Sequence, residues 1–393
     1  MWNRVGLGVV ALVIICFTHW FRKWRNPKCN GVLPPGSMGF PLIGETLSLI
    51  IPSYSLDLHP FIKSRLQRYG PIFKTSIVGR PAVVSADPEF NNYIIQQEGK
   101  LVEIWYFDAI SKLLVLDGES RINAAGIVHK YGKRSILSHI GVESIKERLL
   151  PQFEELIKKT LTEWSTQSYV EVKHAIGSMV VNFTAKIMIG YDPEKSRASL
   201  SKACKSVAES LMSLPLNIPG TAYNKCLQAE QEAILKRREN PNSSLTWDEC
   251  KSMTFTQQVI NETLRMGNLV PGLSRRTLKD ISVKEFTIPA GWSVMLVTSA
   301  KQLNPDTFKN PLEFNPWRWK ELDPFVISKN FMPFGGGQRQ CVGAEYSKSF
   351  MVTFFHVLFT NFRWTVTKVG KIARDPILGL GEGIHINVSK KEN

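Results

Sequence analysis

Apolar residues along this chain recur with two different periods, and the period sorts the chain into helices and short strands. Residues 5–21, VGLGVVALVIICFTHWF, form a run of 17 residues without a formal charge. As a helix such a run spans about 25 Å, near the short limit for crossing a bilayer. Residues 33–36 read Leu-Pro-Pro-Gly, a stiff elbow that cannot continue a helix. Residues 58–69 carry the spacing of a short amphipathic helix. Residues 72–85 read as a hairpin turning at Gly79-Arg80, with β-branched residues in both arms. Asp87-Pro88 opens the next helix. Three- and four-residue spacing then predicts helices over 143–164, 172–189, 198–212, 229–240 and 246–266. Between 275 and 303 the pattern switches to short strands, with a turn at Pro289-Ala290-Gly291. A proline-rich irregular stretch follows at 304–333, and a long apolar helix over 342–362 comes near the end. The expected class is mainly α with small split β-sheets, without internal repeats.

Charge changes the reading of the first apolar run. Trp2 and the pair Trp20 and Trp24 bracket it like interfacial aromatics, and Arg22, Lys23, Arg25 and Lys28 follow it against Arg4 alone before it. By the positive-inside rule the chain after residue 21 is expected on the cytosolic side, as a single-pass protein. The rival reading, a cleaved signal peptide, lacks the small-residue cleavage pattern. A cytosolic chain also makes the Asn-x-Ser/Thr matches at Asn182, Asn242, Asn261 and Asn387 coincidental. Over 393 residues the formal net charge is +15, yet lysines and arginines are spread with no basic stripe for nucleic acid. The excess suits an anionic membrane surface and an acidic protein partner, or a solvated surface with no partner. Six cysteines at 16, 29, 204, 226, 250 and 341 form no close pairs, which excludes a zinc ribbon, a redox CxxC and a haem-attaching CxxCH.

The sharpest local chemistry surrounds Cys341, in the segment Phe331-Met332-Pro333-Phe334-Gly335-Gly336-Gly337-Gln338-Arg339-Gln340-Cys341-Val342-Gly343-Ala344. Its three glycines let the backbone lie against a flat object and take φ > 0 without Cβ clashes. Cys341 is expected to open the last helix, near unpaired N–H groups and the positive dipole end, which favours thiolate. Arg339 supplies a fixed cation for a carboxylate, and Gly343 and Ala344 keep the first helical turn thin. A thiolate so placed is a soft ligand suited to iron. From the residues alone two other uses stay open. A glycine-rich turn before a helix can cradle a phosphate, although neither a Walker lysine–threonine pair nor GxGxxG is present. A nucleophilic cysteine would want a histidine, and His129 and His174 are available.

The segment FGGGQRQCVG resembles the haem-binding signature of the cytochromes P450. Glu262-Thr263-Leu264-Arg265 is similar to that family's ExxR element. Phe314-Asn315-Pro316-Trp317-Arg318-Trp319 resembles the segment whose arginine completes a Glu-Arg-Arg cluster behind the haem. A lone Glu-x-x-Arg says little, because helices carry many such surface pairs; three elements in the right order say much more. PPGSMGFPLIGETL, RYGPIFKTSIVGRPAVV and GKIARDPILGLGEGIHI look like the plant P450 clan that includes steroid and triterpenoid hydroxylases. The resemblance implies a P450 fold and haem b, held non-covalently with Cys341 as the axial thiolate on iron. It implies Phe334 packed over that ligand within the loop of Gly335, Gly337 and Gly343. Arg339 and Arg275, the latter in LSRRTLKD, would pair with the haem propionates. Arg134, in HKYGKRS, would do the same; His129 stands five residues before it and four before Lys133. Glu262, Arg265 and Arg318 would form a structural cluster, because a buried carboxylate needs its cations.

The resemblance also implies a monooxygenase of the endoplasmic reticulum membrane, taking electrons from NADPH-cytochrome P450 reductase on a basic face near Arg339 and Lys348. Its substrate would be lipophilic, steroid- or triterpenoid-like. Trp105-Tyr106-Phe107, Leu269-Val270 and Leu378-Gly379-Leu380 are candidate walls, with ordinary core packing as the alternative. One family element is missing. The acid–alcohol pair of the distal helix (AG-x-[DE]-T), which serves proton delivery, does not occur between 198–212 and the ExxR. Residues 214–253 contain no long apolar helix, Asp306-Thr307 falls in an irregular stretch, and Glu262-Thr263 belongs to the ExxR. No catalytic residue is therefore assigned. The expected organisation is a membrane anchor with its basic flank at 1–30 and an incomplete P450-like haem domain at 31–393, with an internal deletion near 226–230. Two further function classes follow: a catalytically silent or haem-free isoform, and a haem-thiolate peroxide isomerase, which needs neither proton relay nor reductase.

Overall fold

The computed structural model describes residues 2–25, 27–41, 43–105, 115–116, 119–120, 126–192, 222–238, 240, 243–268, 272–375 and 377–392. The expected helix at 198–212 and the candidate wall residues Tyr106, Phe107, Leu269 and Val270 lie outside them. The first half of the chain forms α1 (Trp2–Arg25), α2 (Thr46–Ile50), α3 (Pro60–Tyr69), β1 (Ile72–Ile77), β2 (Arg80–Ser85), α4 (Pro88–Gln96), β3 (Val102–Ile104), β4 (Val115–Leu116), β5 (Glu119–Ser120), α5 (Gly126–Ile140), α6 (Leu150–Trp164), β6 (Val170–Glu171) and α7 (Val172–Ile189). The second half forms α8 (Ala222–Arg237), α9 (Trp247–Ser252), α10 (Thr254–Gly267), β7 (Leu273–Thr277), β8 (Ile281–Val283), β9 (Phe286–Ile288), β10 (Ser293–Leu296), α11 (Thr298–Gln302), α12 (Arg318–Glu321), α13 (Pro324–Asn330), α14 (Ala344–Asn361), β11 (Phe362–Val369), β12 (Ile372–Asp375), β13 (Ile377–Leu380) and β14 (Ile384–Lys390). Helix dominates and the strands fall into several small sheets, as the periodicity predicts.

The chain divides into two compact units. The first comprises Met1–Ile51, Leu58–Ala124 and Gly272–Val297 and holds a five-stranded sheet in the order β1-β2-β10-β7-β3. The proline elbow runs beside β1, where Lys74 N–H donates to Pro35 O at 2.8 Å. Gly36 is required there: its φ is +140°, and a Cβ would meet Lys74 O at 2.1 Å. The β1–β2 hairpin turns at Val78-Gly79, one residue earlier than expected. Ile77 pairs with Arg80, and both central residues take positive φ, 52° and 69°. A two-residue hairpin turn of this hand needs φ > 0 twice, so Gly79 satisfies one position and Val78 is held in the other. Helix α4 starts as predicted, with Asp87 accepting from Glu89 N and Phe90 N ahead of Pro88. Its carboxyl also meets Lys284 at 2.6 Å and sits below the usual carboxylate range, where these hydrogen bonds outweigh the opposing effect of burial.

Helix α1 covers the apolar N-terminal run, and Val9, Leu12, Val13, Phe17 and Trp20 are exposed on it. Among the described residues no helix is long and apolar enough to cross a membrane. The side chains of residues 2–8, part of the expected span, lie outside the described set.

The second unit comprises Pro52–Asp57, Ala125–Pro271 and Thr298–Asn393. Its core is helical and aromatic: Phe153 of α6 meets Phe183 of α7, and Tyr346 and Phe350 of α14, edge-on at 5.6, 5.1 and 5.2 Å. The expected helix over 143–164 is interrupted by a π turn at Ile145–Leu149. Pro151, in the first turn of α6, has no N–H to continue the i→i−4 ladder. The expected helix over 246–266 is two, broken at Met253, whose ψ of 64° is non-helical. Helix α8 runs without interruption through residues 226–230. After α14 the chain forms the sheet β11-β14-β6 and the separate hairpin β12–β13.

Candidate functional site

The best-formed polar feature of the second unit is built on α10. Its buried face places Glu262 and Arg265 one turn apart, both fully buried. The Arg265 guanidinium grips the Glu262 carboxylate through Nε and Nη2 at 2.9 and 2.8 Å, a two-pronged geometry that arginine alone supplies. Arg318, at the start of α12, adds Nε at 3.0 Å. The Trp319 indole and the Asn315 backbone N–H donate to the same carboxylate at 3.1 and 3.0 Å. The spare arginine donors go to carbonyls: Arg265 to Gln302 O, and Arg318 to Lys309 O and Glu313 O. The three residues expected as a structural cluster therefore meet, one carboxylate shared by two guanidiniums whose spare donors are taken up by carbonyls. Trp319, Asn315 and Gln302 are partners that the motif did not name.

The Cys341 loop is built differently. Gly335 and Gly337 take φ of 73° and 67°, as the glycine pattern predicts. Cys341 is a free, exposed thiol. Its backbone N–H donates to Phe334 O at 2.9 Å, closing the loop on itself. The expectation that Cys341 opens the last helix needs correction. A 3₁₀ turn at Gly337–Arg339 precedes it, and α14 begins at Ala344 with Gly343 as its N-cap. The sulfur thus lies two residues ahead of the cap, and a Cβ on Gly343 would stand 3.9 Å from it. Phe334 is half-buried, with Lys348 Nζ 5.9 Å from its ring. Arg339 is half-buried in the same loop.

Arg134 is exposed on α5, whereas its neighbour Lys133 reaches the cysteine loop, Nζ donating to Gln338 O at 3.5 Å. Arg275 lies in the other unit on β7, buried against Glu98, with Nε and Oε2 2.8 Å apart. The next residue, Arg276, alternates to the opposite face of the strand and pairs with Glu103 of β3.

Sequence reasoning missed a buried network in the second unit. Glu230 on α8 accepts from Phe255 N and Thr256 N at 2.6 and 2.7 Å, capping α10, which has no side-chain cap of its own. The next residue, Gln231, donates to Thr256 Oγ1 at 2.7 Å, and its Oε1 is 2.8 Å from His356 Nδ1 on α14. Burial drives the His356 pKa down to about 4, so its imidazole is neutral at neutral pH. Burial likewise pushes the Cys250 thiol up to about 12, which makes it inert.

The cytochrome P450 family profile matches residues 221–382, from the start of α8 to the turn before β14. Over 474 residues the chain is 44% identical to a beta-amyrin 16-alpha-hydroxylase of Maesa lanceolata, covering all of both chains. It is 43% identical to a cucurbitadienol 11-hydroxylase of Siraitia grosvenorii over 475 residues, again end to end. The solved structure of a retinoic acid-bound cyanobacterial CYP120A1 superposes with a TM-score of 0.71 at 20% identity, over 92% of this chain and 100% of that one, which supports the fold. This chain belongs to the cytochrome P450 family. It is by family a monooxygenase, and the family cofactor is haem b on a cysteine thiolate. With 393 residues against alignments of 474 and 475, it is shorter than the relatives it spans.

The donor set at Cys341 fits that cofactor. Among the described residues no cluster of three His, Cys, Asp or Glu side chains could hold a bare metal ion. A single exposed thiol in a glycine-built loop suits an iron whose other ligands come with a macrocycle.

Proposed function

We propose that this chain is a haem-thiolate hydroxylase of a lipophilic, steroid- or triterpenoid-like molecule, using dioxygen and electrons from NADPH-cytochrome P450 reductase. The observation that carries the reading is the Glu262-Arg265-Arg318 cluster, complete in the same unit as the exposed Cys341 thiol. Cys341 would hold the haem iron through its thiolate, and Phe334, Gly335, Gly337 and Gly343 shape the loop that presents its sulfur. Arg339 and, from α5, Arg134 or its neighbour Lys133 would supply cations for the propionates. Haem bound there would supply the redox chemistry of dioxygen activation, and the Cys341 thiolate would lend it electron density. The buried carboxylate cluster holds α10 and the segment leading to the cysteine loop in one arrangement. The apolar run at 5–21 with its basic flank is the single-pass anchor in the endoplasmic reticulum membrane, and Lys348 and Arg339 lie on the reductase-facing surface.

A second reading is favoured by the length of the chain and by the missing acid–alcohol pair. The deletion falls near 226–230, inside α8, and removes the distal helix that delivers protons. The product of this chain is then a catalytically silent or haem-free isoform. Reduction of the full chain under carbon monoxide separates the readings. A Soret band at the thiolate-haem position that is lost in C341S supports haem ligation, and absence of the band in the wild type overturns it. Where haem binds, turnover with reductase and NADPH supports the hydroxylase, turnover with peroxide alone supports an isomerase-type chemistry, and neither supports the silent isoform.

A further inference from the structure

Residues 29–32, between α1 and the proline elbow, lie along the β8–β9 hairpin of the same unit. Thr287 of β9 is held at both its backbone groups. Its N–H donates to Val32 O at 2.7 Å, and its carbonyl accepts from Cys29 Sγ at 3.5 Å. Asn30 Nδ2 donates to Asp280 Oδ2 at 3.2 Å, while Asp280 Oδ1 accepts from Ala290 N at 2.8 Å. One carboxylate thus ties this segment to both ends of the hairpin. Gly31 stands where a Cβ would collide with the Thr287 side chain, and its φ lies outside the left-handed range. A glycine is needed there for space alone. Burial, and after it the Asp280 charge, pushes the Cys29 thiol up, so this donor keeps its proton.

The hairpin closes without the segment. Ile281 pairs with Ile288, Ser282 with Thr287 and Val283 with Phe286, and Ile281, Val283 and Ile288 are buried. The elbow is fixed separately, Lys74 N–H and Nζ donating to Pro35 O and Pro34 O at 2.8 and 3.2 Å. What the bonds of 29–32 change is the length of chain between α1 and the rest of its unit. From Arg25, where α1 ends, to Cys29 is four Cα steps, at most about 14 Å. With 29–32 released the next fixed point is Pro35, ten steps away and at most about 35 Å. Asn30 and Val32 are exposed, so the contact sits at the surface, where a few hydrogen bonds open without global unfolding.

We infer that residues 29–32 are a strap that clasps the β8–β9 hairpin and holds it close to the C-terminal end of α1. Its opening lengthens the leash more than twofold. This rests on the reading of α1 as a membrane anchor and deepens it, because the strap then sets how near the hairpin lies to the lipid headgroups.

The test uses the full chain in phosphatidylcholine nanodiscs carrying a headgroup-labelled acceptor lipid, with a coumarin amino acid in place of the exposed Glu285 at the hairpin tip. Hydrogen exchange at the Thr287 amide reports the strap, and energy transfer from position 285 to the lipid reports the distance. Gly31→Val is expected to quicken that exchange about tenfold and to lower transfer about twofold. Gly31→Val combined with Thr287→Gly, which removes the side chain that the new Cβ meets, is expected to restore both. Should Gly31→Val fail to fold by near-UV circular dichroism, Cys29→Ala with Asn30→Ala decides in its place, since it deletes both side-chain bonds and adds no bulk. Faster exchange with unchanged transfer overturns the inference, and so does exchange that no variant alters; either leaves the anchor reading intact. A chain that the nanodiscs do not retain overturns the anchor reading and this inference with it.

Discussion

The Glu262 cluster and the Cys341 loop occupy the same unit and solve opposite problems. Glu262 is fully buried, and its carboxylate accepts from two guanidiniums, an indole and a backbone N–H. Cys341 is exposed, and its loop is held by backbone bonds and by glycines at positive φ. The first region is complete on its own side chains, whereas the second presents a reactive atom and little else. Scaffold and chemistry are therefore separable in this chain. A shortened P450 can keep the first whatever becomes of the second, which is why lineage and competence need separate tests.

The largest expected effect lies in the cluster. Glu262→Ala leaves Arg265 and Arg318 as buried charges without a counterion, a change that costs about 3–5 kcal/mol. Cys341→Ser, at an exposed position, is expected within about 0.5 kcal/mol of wild type while removing the thiolate. Guanidinium midpoints for the two variants measure the contrast. Similar midpoints would dissolve the distinction between scaffold and chemistry.

His356 sharpens the scaffold side. Its folded pKa, about 4, lies below the ordinary histidine value of 6.5. Between those values the unfolded chain binds the extra proton, so stability rises with pH. The contribution of the neutral imidazole is full above about pH 6.5 and is lost as pH falls toward 4, a swing of about 3 kcal/mol. His356→Gln, which keeps a polar partner for Gln231, is expected to flatten unfolding free energy against pH over that window. An unchanged slope would show that other groups set the acid limit.

The two regions were legible in the sequence to different degrees, for physical reasons. Glu262, Arg265 and Arg318 were named because a motif fixes their spacing, and the structure brings them together. Glycines in the cysteine loop were readable because positive φ selects them; Gly335 and Gly337 adopt it, and Gly336, at −154°, does not need it. The network of Glu230, Gln231, Thr256 and His356 was invisible, because its members come from α8, α10 and α14 and share no local pattern. Which of Arg134 and Lys133 approaches the cysteine loop was not legible for a related reason. One residue along a helix is a rotation of about 100°, enough to exchange the loop-facing lysine for an exposed arginine. The turn at Val78-Gly79 was set one residue late because nothing in a β-branched residue announces a left-handed backbone.

Gly337 and Gly343 divide the Cys341 loop by reason for their glycine, and they carry the smallest expected effects. Gly337 sits at φ +67°, where a Cβ is strained whatever space surrounds it. Gly337→Ala is therefore expected to lower stability by about 1 kcal/mol, visible as a shifted denaturation midpoint. Gly343 has φ −89°, open to any residue, and its missing Cβ would lie 3.9 Å from Cys341 Sγ. Gly343→Ala is expected to leave the midpoint within about 0.5 kcal/mol and instead to slow alkylation of Cys341, followed by mass spectrometry of the modified peptide. If Gly343→Ala destabilises as much as Gly337→Ala, the loop is packed more like the Glu262 cluster than its exposure indicates. If alkylation is unchanged, approach to the sulfur is open on a side that this glycine does not border.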